Sequence, residues 1–157
     1  MPNNPSSWFI QIVPAFFPDL VVRHANFLGE IGSSTVLGDP DANFVLESGL
    51  ADEHLFSIRA SNQQFPDHYF RHQDFRLKLQ PHTSGDTLFE QDATFALAPS
   101  LRLLDDGFHG VSFRSLNFPD HYLRHQNFHL FLAPFSFDEV FQKDATFRLT
   151  RGSRAPA

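Results

Sequence analysis

The sequence predicts an all-β protein, a β-trefoil with pseudo-threefold symmetry. Three observations lead to this prediction: short segments in which apolar and polar residues alternate, a sequence pattern that occurs three times, and turn-forming residues between the segments. About four short strands in each of three repeats give about twelve strands. A barrel that closes on itself under a cap of hairpins accommodates this number of strands and leaves no long edge exposed.

The threefold pattern is visible when the chain is compared with itself. FPDHYFRH and FPDHYLRH differ at one position, FPDLVVRH is a weaker copy, and the three begin at Phe65, Phe118 and Phe17. Each copy is followed by a related element: DANF begins at Asp41, and DATF begins at Asp92 and again at Asp144. We predict a single domain over residues 1–157, with repeats at about 8–47, 55–97 and 110–149.

Each repeat is predicted to consist of short strands. FSIRA and VSFRS alternate apolar and polar residues, as do HYFRH, FRLKL and FHLFL, and ATFAL or ATFRL ends the unit. Pro, Gly, Asn and Asp stand between these segments and indicate turns. No convincing helix is predicted, although DEVFQKDATF could form one helical turn.

Composition excludes several classes of function. The net charge is −6 and no basic run occurs, so we expect no nucleic-acid partner. No apolar run approaches the length of a membrane-spanning helix, so we expect no membrane insertion. The N-terminal residues lack the pattern of a signal peptide, which leaves localisation open between a secreted chain supplied without its leader and a cytoplasmic one. We expect a monomer without a cofactor.

The repeated motifs resemble the AbfB-type arabinose-binding domain, carbohydrate-binding module family 42. The resemblance rests on SFRSLNFPDHYLRHQNFHLFL followed by FQKDATFRL, and on SIRASNQQFPDHYFRHQDFRLKL followed by LFEQDATFAL, and it covers about residues 9–150. It implies a β-trefoil that binds arabinofuranose side chains of the hemicelluloses arabinoxylan and arabinan, in at most one small pocket per repeat. Such modules usually accompany a family 54 glycoside hydrolase domain, and nothing in this sequence resembles one.

The resemblance also implies the site residues. A furanose pocket needs a charged acceptor, a group that donates or accepts, and a flat apolar wall, which Asp, His and Tyr supply. The implied sugar-binding residues of the second and third repeats are Tyr69, His72, Asp92, Tyr122, His125 and Asp144. In the first repeat His24 and Asp41 remain, but Val21 replaces the tyrosine and the loop before the aspartate is shorter. We therefore expect a weak or vestigial pocket there.

Structural interpretations of the same residues stay open. Asp92 and Asp144 could pair with Arg71 and Arg124, which we expect to be structural, or could cap turns. Each tyrosine could pack in the core with its hydroxyl at the rim. The core is predicted to include Phe44, Phe95 and Phe147, and the residues predicted to shape turns are Phe65, Asp67, Phe118 and Asp120.

Neither a metal site nor catalysis is predicted. His68 and His72 are four residues apart, a spacing that suits zinc on a helix but places the side chains about 13 Å apart on a strand. A glycosidase needs two carboxylates about 5–10 Å apart, whereas Asp92 and Asp144 lie in different repeats. A serine nucleophile elbow, G-x-S-x-G, is absent.

The sequence therefore predicts non-catalytic recognition of arabinofuranosyl groups on a polysaccharide or oligosaccharide, through pockets in repeats two and three. One alternative is a free-standing β-trefoil lectin with another sugar preference. Another is a protein-binding trefoil, whose sign would be pockets filled by the protein's own side chains. The last is a detached subunit of an alpha-L-arabinofuranosidase, the activity with which this type of domain is associated.

Overall fold

A computed structural model of the protein describes residues 8–34, 38–104 and 110–152. Within these ranges the chain forms twelve strands, two α-helices and one 3-10 helix. The strands are β1 Trp8–Pro14, β2 Val21–Ala25, β3 Leu28–Gly32, β4 Phe44–Ser48, β5 Phe56–Ala60, β6 His68–Gln73, β7 Arg76–Pro81, β8 Phe95–Pro99, β9 Val111–Ser115, β10 His121–Gln126, β11 His129–Pro134 and β12 Phe147–Arg151. The helices are α1 Thr87–Asp92, α2 Glu139–Asp144 and the 3-10 helix Pro40–Ala42.

Alternating side chains of these strands build one core. In β7, for example, Leu77 and Leu79 are buried and their neighbours along the strand are not. The centre of the core contains five fully buried phenylalanines, Phe44, Phe70, Phe95, Phe113 and Phe147. The prediction that Phe44, Phe95 and Phe147 belong to the core is confirmed. Because each ring removes a large apolar area from water without needing a hydrogen bond, these rings stabilise the strands around them.

The strand pairing corrects the predicted β-trefoil. All twelve strands belong to one antiparallel sheet, and the order β10-β11-β3-β7-β6-β5-β4-β1-β12-β9 returns to β10 and closes a ten-strand barrel. β8 pairs with β5 and β9, and β2 pairs with β3, outside this ring. The hairpins β6–β7 and β10–β11 are hydrogen-bonded into the ring through β5 and β9, so they do not form a cap separate from the barrel.

The predicted structural repeat with pseudo-threefold symmetry is corrected for the same reason. In the described ranges β6 pairs with β5 and β10 pairs with β9, but β2 pairs with β3 alone. In β5, Arg59 pairs with Tyr69 of β6 and is followed by Ala60. The corresponding residue of β1 is Val13, and it is followed by Pro14. Because proline has no N–H, β1 has one hydrogen-bond donor fewer with which to pair with β2.

The prediction that the chain contains no convincing helix is also wrong. α1 and α2 each have six residues, too few for a helical period to stand out from the sequence. Each helix is capped by an aspartate: Asp86 accepts a hydrogen bond from the Phe89 N–H at 3.1 Å, and Asp138 accepts one from the Val140 N–H at 3.3 Å. No helix in the described part of the chain is long and apolar enough to span a membrane.

Tight turns precede and follow the second strand of each sequence repeat. The predicted turns at the FPD segments are confirmed, with the His68 N–H donating to Phe65 O and the His121 N–H donating to Phe118 O. The tips of three hairpins have positive φ at both central residues, as in type I′ turns. These tip residues are the pairs Asn26–Phe27, Asp74–Phe75 and Asn127–Phe128. Phenylalanine rarely adopts such a conformation, so each tip holds an aromatic ring in an unusual, fixed place.

Candidate functional site

Three clusters contain the same three residue types. Site one consists of Arg23, His24 and Asp41; site two consists of Arg71, His72 and Asp92; site three consists of Arg124, His125 and Asp144. In every cluster the arginine and histidine come from β2, β6 or β10, and the aspartate comes from the short helix that follows. The distance from the histidine Nε2 to the aspartate Oδ1 is 3.6 Å in all three sites.

The arginines hold the carboxylates in place. Arg124 Nη2 lies 2.6 Å from Asp144 Oδ2, and Arg71 donates to Asp92 through the same atoms. In site one the corresponding distance, from Arg23 to Asp41, is 3.5 Å. The aspartate side chain is least exposed in site two, at 8%, more exposed in site three, at 14%, and most exposed in site one, at 38%. Arg71 and Arg124 thus pair with Asp92 and Asp144, which is the pairing that the structural interpretation of these residues expects.

Site two is closed by an asparagine from the next sequence repeat. Asn117 Nδ2 donates to Asp92 Oδ1 at 2.7 Å, and Asn117 Oδ1 lies 2.8 Å from His72 Nε2. Because a carboxylate only accepts, the amide NH₂ must face Asp92 and its carbonyl must face the histidine. His72 therefore donates from Nε2, and Ser115 Oγ donates to the same carbonyl at 3.0 Å. Every polar atom between His72 and Asp92 has a partner within the protein.

Site one is closed in the same way. Asn62 Nδ2 donates to Asp41 Oδ1 at 2.9 Å, and Asn62 Oδ1 lies 2.9 Å from His24 Nε2. The ring of Phe65 then packs edge-on against His24, at 5.7 Å between centroids. The amide thus bridges the histidine and the aspartate here as well, although this aspartate is more exposed than that of site two.

Site three has no such amide. The described part of the chain offers no hydrogen-bond partner to the buried Nε2 of His125. Phe17 packs edge-on against the His125 ring at 5.4 Å between centroids, and Phe118 packs against His72 in site two at 5.2 Å with tilted rings. The 3.6 Å gap between His125 Nε2 and Asp144 Oδ1 is therefore unbridged. A buried donor without a partner is costly, by about 1–3 kcal/mol, unless a ligand or solvent supplies one.

A cavity of about 350 Å³ opens onto this gap. Its lining consists of Phe17, Leu20, Ile31, Arg124, His125, Gln126, Asn127, Phe128, Val140 and Asp144. The lining combines the apolar rings of Phe17 and Phe128 with the polar side chains of His125 and Asp144. A cavity with apolar walls and a few convergent polar groups has the character of a small-molecule pocket.

The aromatic ring at the hairpin tip differs between the sites as well. Phe27 stacks on His68 beside site one, and Phe75 stacks on His121 beside site two at 5.6 Å and 19° between the rings. Leu20 takes the place of these histidines beside site three. Phe128 is 65% exposed, compared with 50% and 51% for the other two tip rings. The wall of site three is thus free to contact a ligand.

Burial disfavours the charged forms of His72 and His125. Desolvation lowers the pKa of His125. The charge of Arg124 also lowers this pKa, whereas the charge of Asp144 raises it. Desolvation also lowers the pKa of His72, although its bond to Asn117 and the charge of Asp92 act in the opposite direction. Both rings are therefore neutral at neutral pH and can each donate one hydrogen bond.

The predicted tyrosines lie apart from these clusters. The Tyr69 hydroxyl donates to Glu47 Oε1 at 2.5 Å, and its ring packs with Phe89 and Ala93. Burial and the adjacent Glu47 carboxylate raise the pKa of this hydroxyl. The Tyr122 ring packs near Phe135, at 6.3 Å between centroids. The flat walls of the sites are instead formed by phenylalanines.

No group of three or more metal-binding side chains occurs among residues 8–34, 38–104 and 110–152. His68 and His72, which share a metal-like spacing, belong to different clusters. His68 contacts Phe65 and Phe27 beside site one, and His72 faces Asn117 in site two. The strand geometry separates them, as the sequence spacing indicated.

Sequence reasoning missed the residues that distinguish the sites. Asn62 and Asn117 close sites one and two, and Phe17 and Phe128 form the walls of site three. A signal was present, because SNQQFPD and SLNFPD each contain an asparagine shortly before the repeated FPD, whereas AFFPD does not.

Comparison with known proteins shows what this chain is similar to. The sequence profile of the Alpha-L-arabinofuranosidase B (ABFB) domain matches residues 12–149. A Trichoderma koningii protein described as "Arabinofuranosidase/B-xylosidase" is 33% identical over 115 residues, which are 73% of this chain and 21% of that protein. An "Alpha-L-arabinofuranosidase" of Hypocrea jecorina is 32% identical over the same share of each chain. This chain therefore spans about a fifth of the length of these relatives.

Solved structures show a similar fold. An arabinofuranosidase complexed with arabinofuranosyl-alpha-1,2-xylobiose has a TM-score of 0.76 and 24% identity, with 96% of this chain and 32% of that chain covered. A GH54 a-l-arabinofuranosidase soaked with a cyclic sulfate inhibitor has a TM-score of 0.75 at 22% identity and the same coverage. At this level of identity the likeness bears on the fold alone.

Proposed function

The chain belongs to the family of Alpha-L-arabinofuranosidase B (ABFB) domains, carbohydrate-binding module family 42, and we propose from this premise that it binds terminal arabinofuranosyl groups at site three. The resemblance found in the sequence is thereby confirmed. The observation that carries the proposal is the unbridged gap between His125 Nε2 and Asp144 Oδ1 on the floor of the cavity.

The gap suits two neighbouring hydroxyls of a sugar ring. One hydroxyl donates to Asp144 Oδ1, and its neighbour accepts from the Nε2–H of neutral His125. Arg124 holds Asp144 from its other oxygen, so the carboxylate is oriented before the sugar arrives. The bond to the carboxylate is charge-assisted and contributes about 1.5–3 kcal/mol.

The rest of the cavity suits a small ring with apolar patches. Its volume of about 350 Å³ lies at the lower end of ligand pockets, which suits one furanose better than an oligosaccharide. Phe17 and Phe128 provide flat surfaces for the C–H faces of the sugar. We therefore propose recognition of single terminal groups that branch from a polysaccharide such as arabinoxylan or arabinan.

The proposed role is binding without catalysis. Asp144 is the one carboxylate among the residues that line the cavity. Glycoside hydrolysis commonly uses two carboxyl groups on either side of the scissile bond. A single shallow site of this kind binds its sugar with a Kd on the order of millimolar, which is about −4 kcal/mol.

The protein-binding alternative draws support from the other two sites. Pockets filled by the protein's own side chains were its expected sign, and Asn62 and Asn117 fill sites one and two. Site three lacks that sign, and the carbohydrate proposal rests on this site. A protein partner would engage exposed surface and leave the His125 and Asp144 atoms unbridged.

A titration of isotope-labelled protein with methyl α-L-arabinofuranoside tests the proposal. We expect saturable NMR shifts of the His125 ring and of the amides of residues 124–128, and weaker responses to xylose and galactose. Asp144→Asn is expected to weaken binding about 10- to 100-fold, because the charged acceptor is lost. Asp41→Asn, which changes the same residue type in site one, is the matched control and should bind as the unchanged protein does.

Two outcomes would contradict the proposal. Shifts confined to residues outside site three would place the ligand elsewhere. Turnover of a nitrophenyl arabinofuranoside that is abolished by Asp144→Asn would show that the chain is catalytic.

A further inference from the structure

We infer that Asn62 and Asn117 are built-in ligands, and that the residue at their position decides whether each site can accept a sugar. The inference rests on the proposed function of site three and extends it to all three sites. Sites one and two retain the histidine, the aspartate and an aromatic wall, and in both an amide bridges the gap between histidine and aspartate. They are latent sites that the chain itself occupies.

The amide makes the bonds that we assign to the sugar. Asn117 Nδ2 donates to Asp92 Oδ1, as one sugar hydroxyl would donate to Asp144 Oδ1. Asn117 Oδ1 accepts from His72 Nε2, as the neighbouring hydroxyl would accept from His125. A carboxamide offers one donor group and one acceptor side by side, which matches two adjacent hydroxyls. The amide is therefore a competitor held in place by the fold.

Two loops of different length bring the amide to the same pair of atoms. Asn62 stands three residues before Phe65, and Asn117 stands directly before Phe118. Even so, the two amides bridge the histidine and aspartate with bonds of 2.7–2.9 Å. The shared feature is thus the bridge itself and not the shape of the loop that carries it.

Phe16 stands where the amide would be in site three. The Ala15 N–H donates to Thr146 O, and the Leu116 N–H donates to Thr94 O, so these two residues hold equivalent backbone positions. Phe16 follows the first as Asn117 follows the second. A phenyl ring can neither donate to Asp144 nor accept from His125, and the Phe16 ring lies 5.5 Å from Lys143 Nζ instead. We assign the unbridged gap of site three to this difference.

The position makes a two-way test possible. Asn117→Ala removes the bridge from site two, and Phe16→Asn supplies one to site three. Phe16→Leu is the matched control for the second change, because it also shortens the side chain but brings no amide. The readout is residue-specific NMR of the histidine rings during titration with methyl α-L-arabinofuranoside.

We expect only His125 to respond saturably in the unchanged protein. In Asn117→Ala both His72 and His125 should respond, so the number of sites rises from one to two. In Phe16→Asn the response of His125 should weaken at least tenfold, whereas Phe16→Leu should retain it.

The outcomes separate this inference from the proposed function. If His125 responds but His72 in folded Asn117→Ala does not, the built-in ligand is refuted and the function of site three stands. If His72 responds in that variant while His125 never does, the sugar site was assigned to the wrong cluster and the built-in ligand stands. Silence of both rings rejects both ideas. If Asn117→Ala fails to fold, Phe16→Asn tests the inference instead. Unchanged sugar binding at His125 in that variant would reject the idea that the residue at position 16 determines whether site three accepts a sugar.

Discussion

Sites two and three have the same three charged or polar residues and the same 3.6 Å separation between histidine and aspartate, yet an amide bridges this separation in site two and a cavity adjoins it in site three. In site two the charges are buried and fully hydrogen-bonded by Asn117 and Ser115. In site three, as far as residues 8–34, 38–104 and 110–152 show, a buried histidine nitrogen has no hydrogen-bond partner and lies next to a cavity. Residue types alone therefore do not distinguish a binding site from a structural cluster. The distinction depends on which polar atoms the fold leaves unbonded.

The contrast predicts a large difference in stability between the two aspartates. Asp92→Ala leaves buried Arg71 without its partner and breaks the bond to Asn117, so we expect a loss of about 3–5 kcal/mol in the free energy of unfolding. Asp144→Ala should cost about 1–3 kcal/mol, because Arg124 is more accessible to water and no amide bond is lost. Urea unfolding measures both.

Asp41→Ala is the control for this series and should cost the least, since Asp41 is the most exposed of the three. Equal losses for Asp92 and Asp144 would contradict the view that site two is a structural cluster and site three is not.

The hairpin tips offer a second contrast, with a smaller effect. Phe128→Gly removes one wall of site three and should weaken sugar binding about 3- to 10-fold, which corresponds to the 0.5–1.5 kcal/mol of an aromatic contact. It should not lower stability much, because φ is +67° at this residue and glycine adopts such angles without strain.

Phe75→Gly changes the equivalent tip of site two and is the matched control. It removes packing against Phe118 and His121, so it should reduce stability and leave sugar binding as it was. Isothermal titration and thermal unfolding of the two variants separate these effects. Weaker binding in Phe75→Gly would show that site two takes part in recognition.

The smallest expected effect is a dependence of stability on pH. The pKa values of His72 and His125 are lowered in the folded protein, so the unfolded chain takes up protons first as the pH falls below the ordinary histidine pKa of 6.5. Their contribution to stability is complete above that pH and is lost as the pH decreases. Each histidine should account for at most about 0.7 kcal/mol between pH 7 and pH 6.

In His125→Gln, the free energy of unfolding measured in urea should fall less between pH 7 and pH 6, because the contribution of His125 is absent. In the unchanged protein, bound methyl α-L-arabinofuranoside should increase the loss of stability on acidification, because the sugar accepts a hydrogen bond from the neutral His125 ring. A slope that is the same in His125→Gln would show that this histidine does not titrate as its burial requires.

The sequence predicted local structure better than strand pairing. Alternation identified the strands, and the repeated motifs identified the family, because these signals lie within a few neighbouring residues. The ten-strand closure depends on which distant edges meet, and a single proline at position 14 alters that pairing without disturbing the apolar pattern. Helices of six residues are likewise too short to produce a period.

The site was predicted only within each repeat, and the missing information lay between repeats. His72 and Asp92 belong to one repeat, but Asn117, which closes their site, comes from the next and is 45 residues from the histidine. The resemblance implies Tyr69 and Tyr122 as the flat walls of the pockets. Phe17 and Phe128 line the cavity of site three instead, and they come from the first and the third sequence repeat.

The positions of Phe17 and Asp144 in the sequence determine when site three can form during folding. β1 pairs with β12 over five residues, and site three joins Phe17, which follows β1, to Asp144, which precedes β12. Site three therefore forms only once β12 has paired with β1, and a break in the backbone near Phe17 or near Asp144 should remove the proposed pocket while most of the buried core residues remain.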